Sequence, residues 1–214
     1  MFQLASLRHH YAGGTPLAFP DWSLPQGGQA VLVGPSGSGK TTLLSLLAGM
    51  LRPAAGQLAV AGQDIGRLGG AALDRFRGRH IGLVPQRPHL IASLTVAENL
   101  TLAQYLARLP QDMARVANVL ARLGLAELAA RRPHQLSQGQ AQRAAIGRAV
   151  VNRPRLLLAD EPTANLDDEA TADVLALLRR EAEAVGATLL IASHDGRLKA
   201  EFAERFTLVR GGAA

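Results

Sequence analysis

A glycine-rich segment of eight residues is the part of this sequence best suited to chemistry. Residues 34–41 read Gly-Pro-Ser-Gly-Ser-Gly-Lys-Thr and match G-x-x-x-x-G-K-[S/T] at every fixed position. Glycines there let backbone N–H groups close around phosphate oxygens, and the amino terminus of a following helix adds partial positive charge. Lys40 is expected to reach the terminal phosphates of a nucleotide, and Thr41 to ligate Mg²⁺. The predicted phosphate-binding residues are Gly34, Pro35, Ser36, Gly37, Ser38, Gly39, Lys40, Thr41 and Thr42.

Two adjacent acids, Asp160 and Glu161, follow an apolar run at 156–159. Successive strand residues point to opposite faces, so the two carboxylates can have different tasks at the carboxyl end of this strand. Asp160 suits the Mg²⁺ shell. Glu161 suits polarising an attacking water, a general-base role typically worth about 10²–10⁴ in rate. An acidic pair alone would indicate only a loop entrance, but beside a complete phosphate loop it predicts hydrolysis.

The elements that must position these residues are predicted from apolar runs. Buried parallel strands read as continuous apolar stretches, and four such stretches occur at 30–33, 81–84, 156–159 and 188–192. Helical patterns cover 41–51 and 168–185, so strands alternate with helices as in an α/β sheet. Residues 95–151 are almost entirely helical in pattern and predict an inserted helical block. The opening stretch to residue 22 is more typical of antiparallel strands.

Length and composition suit one good-sized domain, or a domain with an inserted subdomain. The chain has 214 residues, 48% of them apolar and 19% charged. It has no cysteine, which excludes disulfides, thiolate metal sites and a cysteine nucleophile. The opening residues predict no signal peptide. The longest apolar run, 43–51, falls well short of the roughly 20 residues that cross a bilayer, so any membrane role would come through a partner.

The formal charge of +6 comes from 21 arginines and two lysines against 17 acids. A basic chain can bind nucleic acid, and a short patch at 75–80 keeps that alternative open. The arginines are otherwise spread along the chain without an aromatic-interleaved cluster. A solvated arginine-rich surface is therefore the preferred interpretation, and a nucleic-acid partner is not expected.

A further motif at 136–140, Leu-Ser-Gln-Gly-Gln, is followed by a helical run and resembles the signature sequence of ATP-binding-cassette (ABC) ATPases. The order of motifs resembles that family along essentially the whole chain. The phosphate loop comes first, then Gln86, the signature, the acid pair, the segment 165–168, and His194. The resemblance implies a P-loop NTPase of the ABC type, with a mixed-sheet core, an antiparallel β subdomain and an inserted α-helical subdomain. The implied division is a single domain, with residues 1–85 and 154–214 as the nucleotide-binding core and 86–153 as the helical subdomain.

The resemblance implies roles for individual residues around ATP and Mg²⁺. Tyr11 would stack on adenine, Gln86 would contact Mg²⁺ or water and report nucleotide state, and His194 would contact the γ-phosphate. Asp167 would link the two sites across a dimer. The other five histidines lack such a placement, and His9 and its neighbour are expected to be solvated.

The resemblance also implies that the signature motif completes the site of an opposite subunit. Ser137, Gly139 and Gln140, at the start of the following helix, would face the γ-phosphate there, since helix N-termini offer N–H donors and a favourable dipole. The family usually has glycine where this chain has Gln138. The Gln138 side chain must point away from that phosphate or be tolerated at its edge, which puts the hydrolysis rate of this half-site in question.

The segments 77–82, 94–100 and 160–167 resemble the lipoprotein-release and macrolide-export branch of the family. That likeness implies an ATPase subunit at the cytoplasmic face of a membrane, which dimerises head to tail with an identical or different ATPase subunit. Two ATP-Mg²⁺ bound between the subunits would then drive conformational change in integral-membrane transporter subunits. The alternatives are a nucleotide-gated interaction module of the cell-division type, a nucleic-acid-associated ABC ATPase, and a simple P-loop kinase.

Overall fold

The structure is a computed structural model that describes residues 1–164 and 166–209. Asn165, part of the predicted 165–168 motif, lies outside the described residues. The strands are β1 (Phe2–His9), β2 (Leu17–Ala18), β3 (Trp22–Leu24), β4 (Gln29–Val33), β5 (Ala55–Val60), β6 (Gln63–Asp64), β7 (Ile81–Val84), β8 (Leu156–Asp160), β9 (Thr188–Ser193) and β10 (Glu204–Thr207). The helices are α1 (Lys40–Leu47), α2 (Gly70–His80), α3 (Val96–Leu106), α4 (Met113–Arg122), α5 (Gln138–Val150), α6 (Asp168–Val185) and α7 (Arg197–Glu201).

A five-stranded parallel sheet forms the centre of the molecule, in the order β10-β4-β9-β8-β7. Its strands are almost continuously buried, as expected for a parallel sheet covered on both faces. Val33 pairs with Ser193, and Asp160 pairs with Ala192. The carboxyl ends of β4, β8 and β9 therefore meet at one edge of the sheet, and the segments that follow them start side by side.

An antiparallel sheet covers one face of the parallel sheet. β1 lies at its centre, pairing with β2, β3 and β5, and β6 extends it from β5. Its apolar side chains share one buried cluster with α1 and with β4, to which Phe2, Leu32 and Leu43 all belong. Trp22 stacks on Phe206 of β10, with ring centroids 4.3 Å apart and planes within 6°. This packing joins the antiparallel sheet to α1 and to the edge strand of the parallel sheet.

The helices α3, α4 and α5 lie between β7 and β8 in the chain and pack on the other face of the parallel sheet. The first turn of α3 is closed by a capping box between Thr95 and Glu98. α5 approaches α4 closely at Gly147, where an added Cβ would lie 2.8 Å from Leu123 Cδ1 and 3.3 Å from Leu100 Cδ2. The division of the chain at residues 85/86 and 153/154 stays a prediction. Across residues 1–164 and 166–209, no helix has the length and apolar character of a membrane-spanning segment.

His9 differs from the expectation that it is solvated. It lies on the inward face of β1, is only 8% exposed, and its Nδ1 is 3.0 Å from the carbonyl oxygen of Arg52. The alternation of strand β1 places His9 on the same face as Leu7 after a register shift between Ala5 and Arg8. That irregularity could not be predicted from the sequence, and the expectation for His9 was wrong.

A buried ion pair connects the helical block to the core. Glu181 of α6 is fully buried and accepts hydrogen bonds from Arg122 at the end of α4, with an Nη2–Oε2 distance of 2.8 Å. Arg122 is 33% exposed, and the hydrogen bonds with Glu181 raise its guanidinium pKa. The two partners therefore depend on the pair unequally, because only Glu181 has no access to water.

We expect Arg122→Ala to lower the free energy of unfolding by about 3 kcal/mol, because it leaves the Glu181 carboxylate buried without a partner. Glu181→Ala should cost less, since water can hydrate the guanidinium that remains. Urea unfolding of both variants measures the difference. Arg67→Ala is the matched control: its pair with Asp64 lies at the surface, with Arg67 81% exposed, and should contribute under about 1 kcal/mol. Equal costs for Arg122→Ala and Arg67→Ala would contradict this account of the pair.

Candidate nucleotide-binding and hydrolysis site

The predicted phosphate loop spans the turn between β4, which ends at Val33, and α1, which begins at Lys40. Two of its glycines have left-handed backbones, with φ of +78° at Gly37 and +95° at Gly39, which other residues rarely adopt. A Cβ at Gly34 would lie 2.6 Å from both the Leu208 carbonyl oxygen and Ser38 Oγ. The glycines are therefore required by the conformation and packing of the loop.

The loop presents groups that fit a phosphate chain. The Lys40 ammonium is only 7% exposed; it donates hydrogen bonds to the carbonyl oxygens of Gly34 and Pro35, at 2.8 and 3.2 Å. Ser38 is 5% exposed, and its hydroxyl has no hydrogen-bond partner among the described residues. A buried cation and an unsatisfied hydroxyl at the start of a helix favour an anionic ligand.

Thr41 and Asp160 provide oxygen ligands suited to Mg²⁺. The Thr41 hydroxyl donates to Asp160 Oδ1 at 3.4 Å. Within residues 1–164 and 166–209, no cluster of three or more acidic, histidine or cysteine side chains forms a metal cage. Mg²⁺ commonly takes one or two carboxylates together with substrate phosphates, so this sparse donor set fits it. When bound, Mg²⁺ supplies positive charge that offsets the charge of the phosphate chain.

Glu161 stands at the centre of a polar cluster. Its backbone has a φ of +47°, an uncommon conformation for a non-glycine residue and a sign of local strain. Glu161 Oε1 lies 2.9 Å from His194 Nδ1 and 3.7 Å from Lys40 Nζ. Glu161 Oε2 accepts from the Ser193 hydroxyl at 3.2 Å and from the His194 backbone N–H at 3.3 Å. These contacts hold the carboxylate in one position at the sheet edge.

Gln86, two residues after β7, lines a cavity of about 460 Å³ together with Glu161 and His194. A water in this cavity could give a proton to Glu161, since Ser193 and His194 already hold its carboxylate in position. The structure thus brings together Gln86, Glu161 and His194, which are far apart in sequence. Their chemical roles stay predictions.

Two residues of this region were missed in the sequence. Ser193 bonds Glu161 and also accepts from the backbone N–H of Asp195 at 3.0 Å. Arg197 pairs with both Asp195 and Asp168, and its hydrogen bonds with Asp195 raise its pKa above the ordinary value. Ser193 could have been found as the last residue of a strand that ends beside His194. Arg197, at the start of α7, carries no such signal, because an arginine outside a motif is usually solvated.

Tyr11 lies in the loop between β1 and β2, above the start of α1. Its ring is 49% exposed, and its hydroxyl is 3.2 Å from Thr42 Oγ1. The ring packs against His9 in a T-shaped arrangement, with centroids 4.8 Å apart and planes at 86°. The structure therefore places an accessible aromatic face beside the phosphate loop, where an adenine ring could stack.

The residues of the signature motif lie at the start of α5, not in the phosphate loop or at the end of β8. Ser137 Oγ accepts from the backbone N–H of Gln140 at 3.3 Å, and Gln140 Oε1 accepts from the backbone N–H of Ser137 at 2.8 Å. Gln138 and Gly139 line a cleft of about 740 Å³ between α5 and α6, which Glu161 also borders. Gln138 is exposed on the first helical turn, so its side chain fits without displacing the loop.

Asp167 caps the amino terminus of α6 by accepting from the backbone N–H of Ala170 at 2.8 Å. The capping role is structural and leaves the carboxylate at the surface next to the loop that follows Glu161. Its implied role across a dimer stays a prediction, as do the roles of Ser137, Gly139 and Gln140.

Comparison with known proteins gives one consistent result. A family model described as ABC transporter matches residues 19–164. The lipoprotein-releasing system ATP-binding protein LolD of Anaeromyxobacter dehalogenans is 44% identical over 204 residues, covering 92% of this chain and 85% of the relative. The LolD protein of Syntrophotalea carbinolica is 39% identical and covers 94% and 91%. The macrolide export ATP-binding/permease protein MacB of Chromobacterium violaceum is 41% identical, covering 89% of this chain and 30% of the relative.

Solved structures agree with the sequence comparisons. A dimeric bacterial ABC transporter cassette is 29% identical, with a TM-score of 0.88, and covers all of this chain and 96% of that one. A dimeric cassette in a post-hydrolysis state, bound to ADP and phosphate, gives a TM-score of 0.87 with the same identity and coverage. The predicted α/β fold of the P-loop type, with separate antiparallel and helical parts, is confirmed.

The raised pKa of the Asp160 carboxyl allows its predicted role as a Mg²⁺ ligand to be tested through protein stability. Burial is the main cause of its raised pKa, with Glu161 adding to the effect and the Thr41 hydrogen bond opposing it. A raised folded-state pKa stabilises the fold below the unfolded-state pKa, and this contribution is lost as pH rises through the folded-state value. Ionisation of Asp160 therefore lowers the stability of the ligand-free protein as pH rises through the folded-state pKa.

We expect Asp160→Asn to raise the melting temperature of the ligand-free protein at pH 7 and to remove the additional stabilisation that Mg²⁺ gives in the presence of ATP. Hydrolysis should fall by about 10²-fold or more, since a metal ligand is lost. Thermal unfolding with ATP, with and without Mg²⁺, measures both effects in wild type and variant. A variant that melts below the wild type without ligand, or that still responds to Mg²⁺, would contradict the assignment.

Proposed function

This chain belongs to the ABC transporter family as an ATP-hydrolysing subunit, and on that premise we propose that it powers the release of lipoproteins from a membrane. The resemblance found in the motifs is confirmed, and with it ATP and Mg²⁺ as ligands, a dimeric cassette, and integral-membrane subunits as partners. The observation that carries the proposal is the similarity to lipoprotein-releasing ATP-binding proteins at 39–44% identity over 85–91% of their length. Macrolide export is the second candidate, because MacB relatives reach 41% identity over a shorter share of their own length.

The proposed hydrolytic step uses the cluster around Glu161. A water held beside Gln86 attacks the γ-phosphorus, the bond from that phosphorus to the bridging oxygen breaks, and Glu161 takes the proton of the water. His194 and Ser193 keep the carboxylate oriented, and Lys40 stabilises charge on the terminal phosphate. Ser137 and Gly139 of a second subunit complete the anion site, so hydrolysis requires the closed dimer.

A groove beside α2 and α3 is the proposed docking surface for the membrane subunit. Met50 and Leu106 are 58% and 66% exposed, and both line this cavity of about 1110 Å³ together with Arg75 and Arg108. A cytoplasmic helix with apolar side chains and an acidic residue fits such a surface. Leu83 of β7 lines the groove as well, and the same segment continues three residues later to Gln86. Movement of a docked helix could thus reach the hydrolytic site through β7.

The chain carries out this function as a peripheral subunit bound to a transporter in the membrane. We infer that it lies at the cytoplasmic face of the inner membrane, where ATP is available. The absence of a spanning helix in the described residues agrees with attachment through a partner.

The function is tested by reconstituting the purified complex with its co-purifying membrane subunits in liposomes. Addition of ATP and Mg²⁺ should release a fluorescent lipoprotein from the wild-type vesicles. Release should fail with Glu161→Gln, whose hydrolysis we expect to fall by about 10²-fold or more because the base is lost. Glu161→Gln should still bind ATP and run as a dimer in light scattering, since the neutral amide keeps the shape of the side chain.

The other outcomes separate the rival functions. ATP-dependent movement of a macrolide but not of a lipoprotein would select the export function. Hydrolysis stimulated by DNA or RNA at physiological salt would favour a nucleic-acid-associated ATPase. A membrane partner that binds the ATP form but moves no cargo would indicate a gated interaction module of the cell-division type. A simple P-loop kinase would retain its activity in Ser137→Arg.

We expect Leu106→Asp to abolish co-purification with the membrane subunit. The new carboxylate would be buried against the apolar side chains of the docked helix, at a cost of several kcal/mol, and would repel its acidic residue. Met113→Asp is the matched control, since Met113 is 57% exposed on α4 and does not line the groove. Pull-down from detergent extract measures both variants, and circular dichroism confirms that they fold. Equal retention of the partner by both variants would place the docking surface elsewhere.

A further inference from the structure

A hydrogen bond joins Tyr11, the aromatic residue predicted to stack on adenine, to the start of α1 beside the phosphate loop. Tyr11 Oη lies 3.2 Å from Thr42 Oγ1, although the two residues are 31 positions apart and belong to different layers of the fold. Tyr11 lies in the loop after β1, and Thr42 in the first turn of α1. The residue predicted to bind the base and a residue predicted to bind phosphate are therefore in direct contact.

The Tyr11 ring is held at two points. Its hydroxyl bonds Thr42, and the ring packs in a T shape against His9, whose Nδ1 lies 3.0 Å from the carbonyl oxygen of Arg52. The ring still keeps 49% of its surface exposed. These two contacts fix the orientation of the ring before any base stacks on it.

Neighbouring hydroxyls at the start of α1 have different partners. The Thr41 hydroxyl points to Asp160, and Lys40 lies near Glu161, so both serve the far end of a phosphate chain. Thr42 is 8% exposed, and its hydroxyl contacts the Tyr11 hydroxyl instead. Thr42 is accordingly placed to meet the phosphate nearest the nucleoside.

The direction of the hydrogen bond follows from the ligand. A hydroxyl has one hydrogen and two acceptor lone pairs, and either hydroxyl of this pair could donate. An ionised phosphate can only accept, so Thr42 must donate to it and must accept from Tyr11. We propose that the phenol of Tyr11 is a positioning group, which directs the Thr42 hydrogen toward the nucleoside-linked phosphate of the bound nucleotide.

This inference rests on the proposed ATP-binding function and makes a more specific claim about it. Stacking needs only the ring of Tyr11, whereas positioning needs its hydroxyl. Tyr11→Phe separates the two, because it keeps the ring and removes the hydroxyl. The loss should be seen in binding and in KM for ATP, while kcat should stay unchanged, since the reacting phosphate lies at the other end of the chain.

The test is a double-mutant cycle on nucleotide affinity, measured by calorimetry with the full chain. Tyr11→Phe should weaken ATP and ADP binding by the same factor, about three- to tenfold, as for loss of one hydrogen bond. In the Thr42→Val background, Tyr11→Phe should have no further effect. In the Thr42→Ser background, which keeps the hydroxyl, it should cost as much as in the wild type. Tyr105→Phe, at the only other tyrosine of the sequence, is the matched control and should leave affinity unchanged.

Three results would overturn the proposal. These are an unchanged affinity in Tyr11→Phe, additive losses in Tyr11→Phe/Thr42→Val, and an equal loss for adenosine, which lacks the phosphate. Each of them leaves the ATPase function intact. Failure of the wild-type protein to bind ATP at all would instead reject the proposed function, so the two failures can be told apart.

Discussion

The site depends on one constraint, the parallel register of β4, β9 and β8. Val33 pairs with Ser193 and Asp160 with Ala192, so three strands end at the same level. The phosphate loop, the acid pair and His194 all leave the sheet from that edge. A slip of one residue in any of these strands would turn its last side chain to the other face. Close packing of the buried side chains on both faces of the sheet opposes such a slip, and in this way the core packing sets the geometry of the hydrolytic site.

Several residues at the same edge of the sheet lower the stability of the ligand-free protein, and packing in the surrounding core must offset this. Glu161 has a left-handed backbone, and burial raises the pKa of Asp160. Ser38 holds an unsatisfied buried hydroxyl in the loop. Each of these features destabilises the ligand-free protein. A bound phosphate would satisfy the Ser38 hydroxyl, and a bound cation would offset the buried charge of Asp160. Stability and binding are therefore opposed at these positions, which is why a substitution such as Asp160→Asn separates them.

The sequence predicted the elements whose signals are continuous and strong. Residues 81–84 and 168–185 form β7 and α6 with the predicted bounds, because apolar runs and an acidic first turn are local features. β5 and α2 were not predicted: the first half of β5 is exposed, and α2 buries only Leu73. His9 and the Tyr11–Thr42 bond could not be predicted either, because both depend on contacts between layers that share no sequence pattern. The structure brings Gln86, Glu161 and His194 of these motifs to one cavity. Their roles stay predictions, and the contacts among them required the fold.

The start of α5 explains why one chain holds only half of a hydrolytic site under the proposed function. Ser137 and Gln140 satisfy each other in a capping box, so the first turn is ordered before any partner arrives. The backbone N–H groups of Gln138 and Gly139, in the first helical turn, have no partner within the helix and remain as donors for an anion. Closure of the dimer gains from this order, since little conformational entropy is lost at that turn. The glutamine at position 138 adds an uncharged amide at the same surface, which can accept or donate a hydrogen bond without repelling a phosphate.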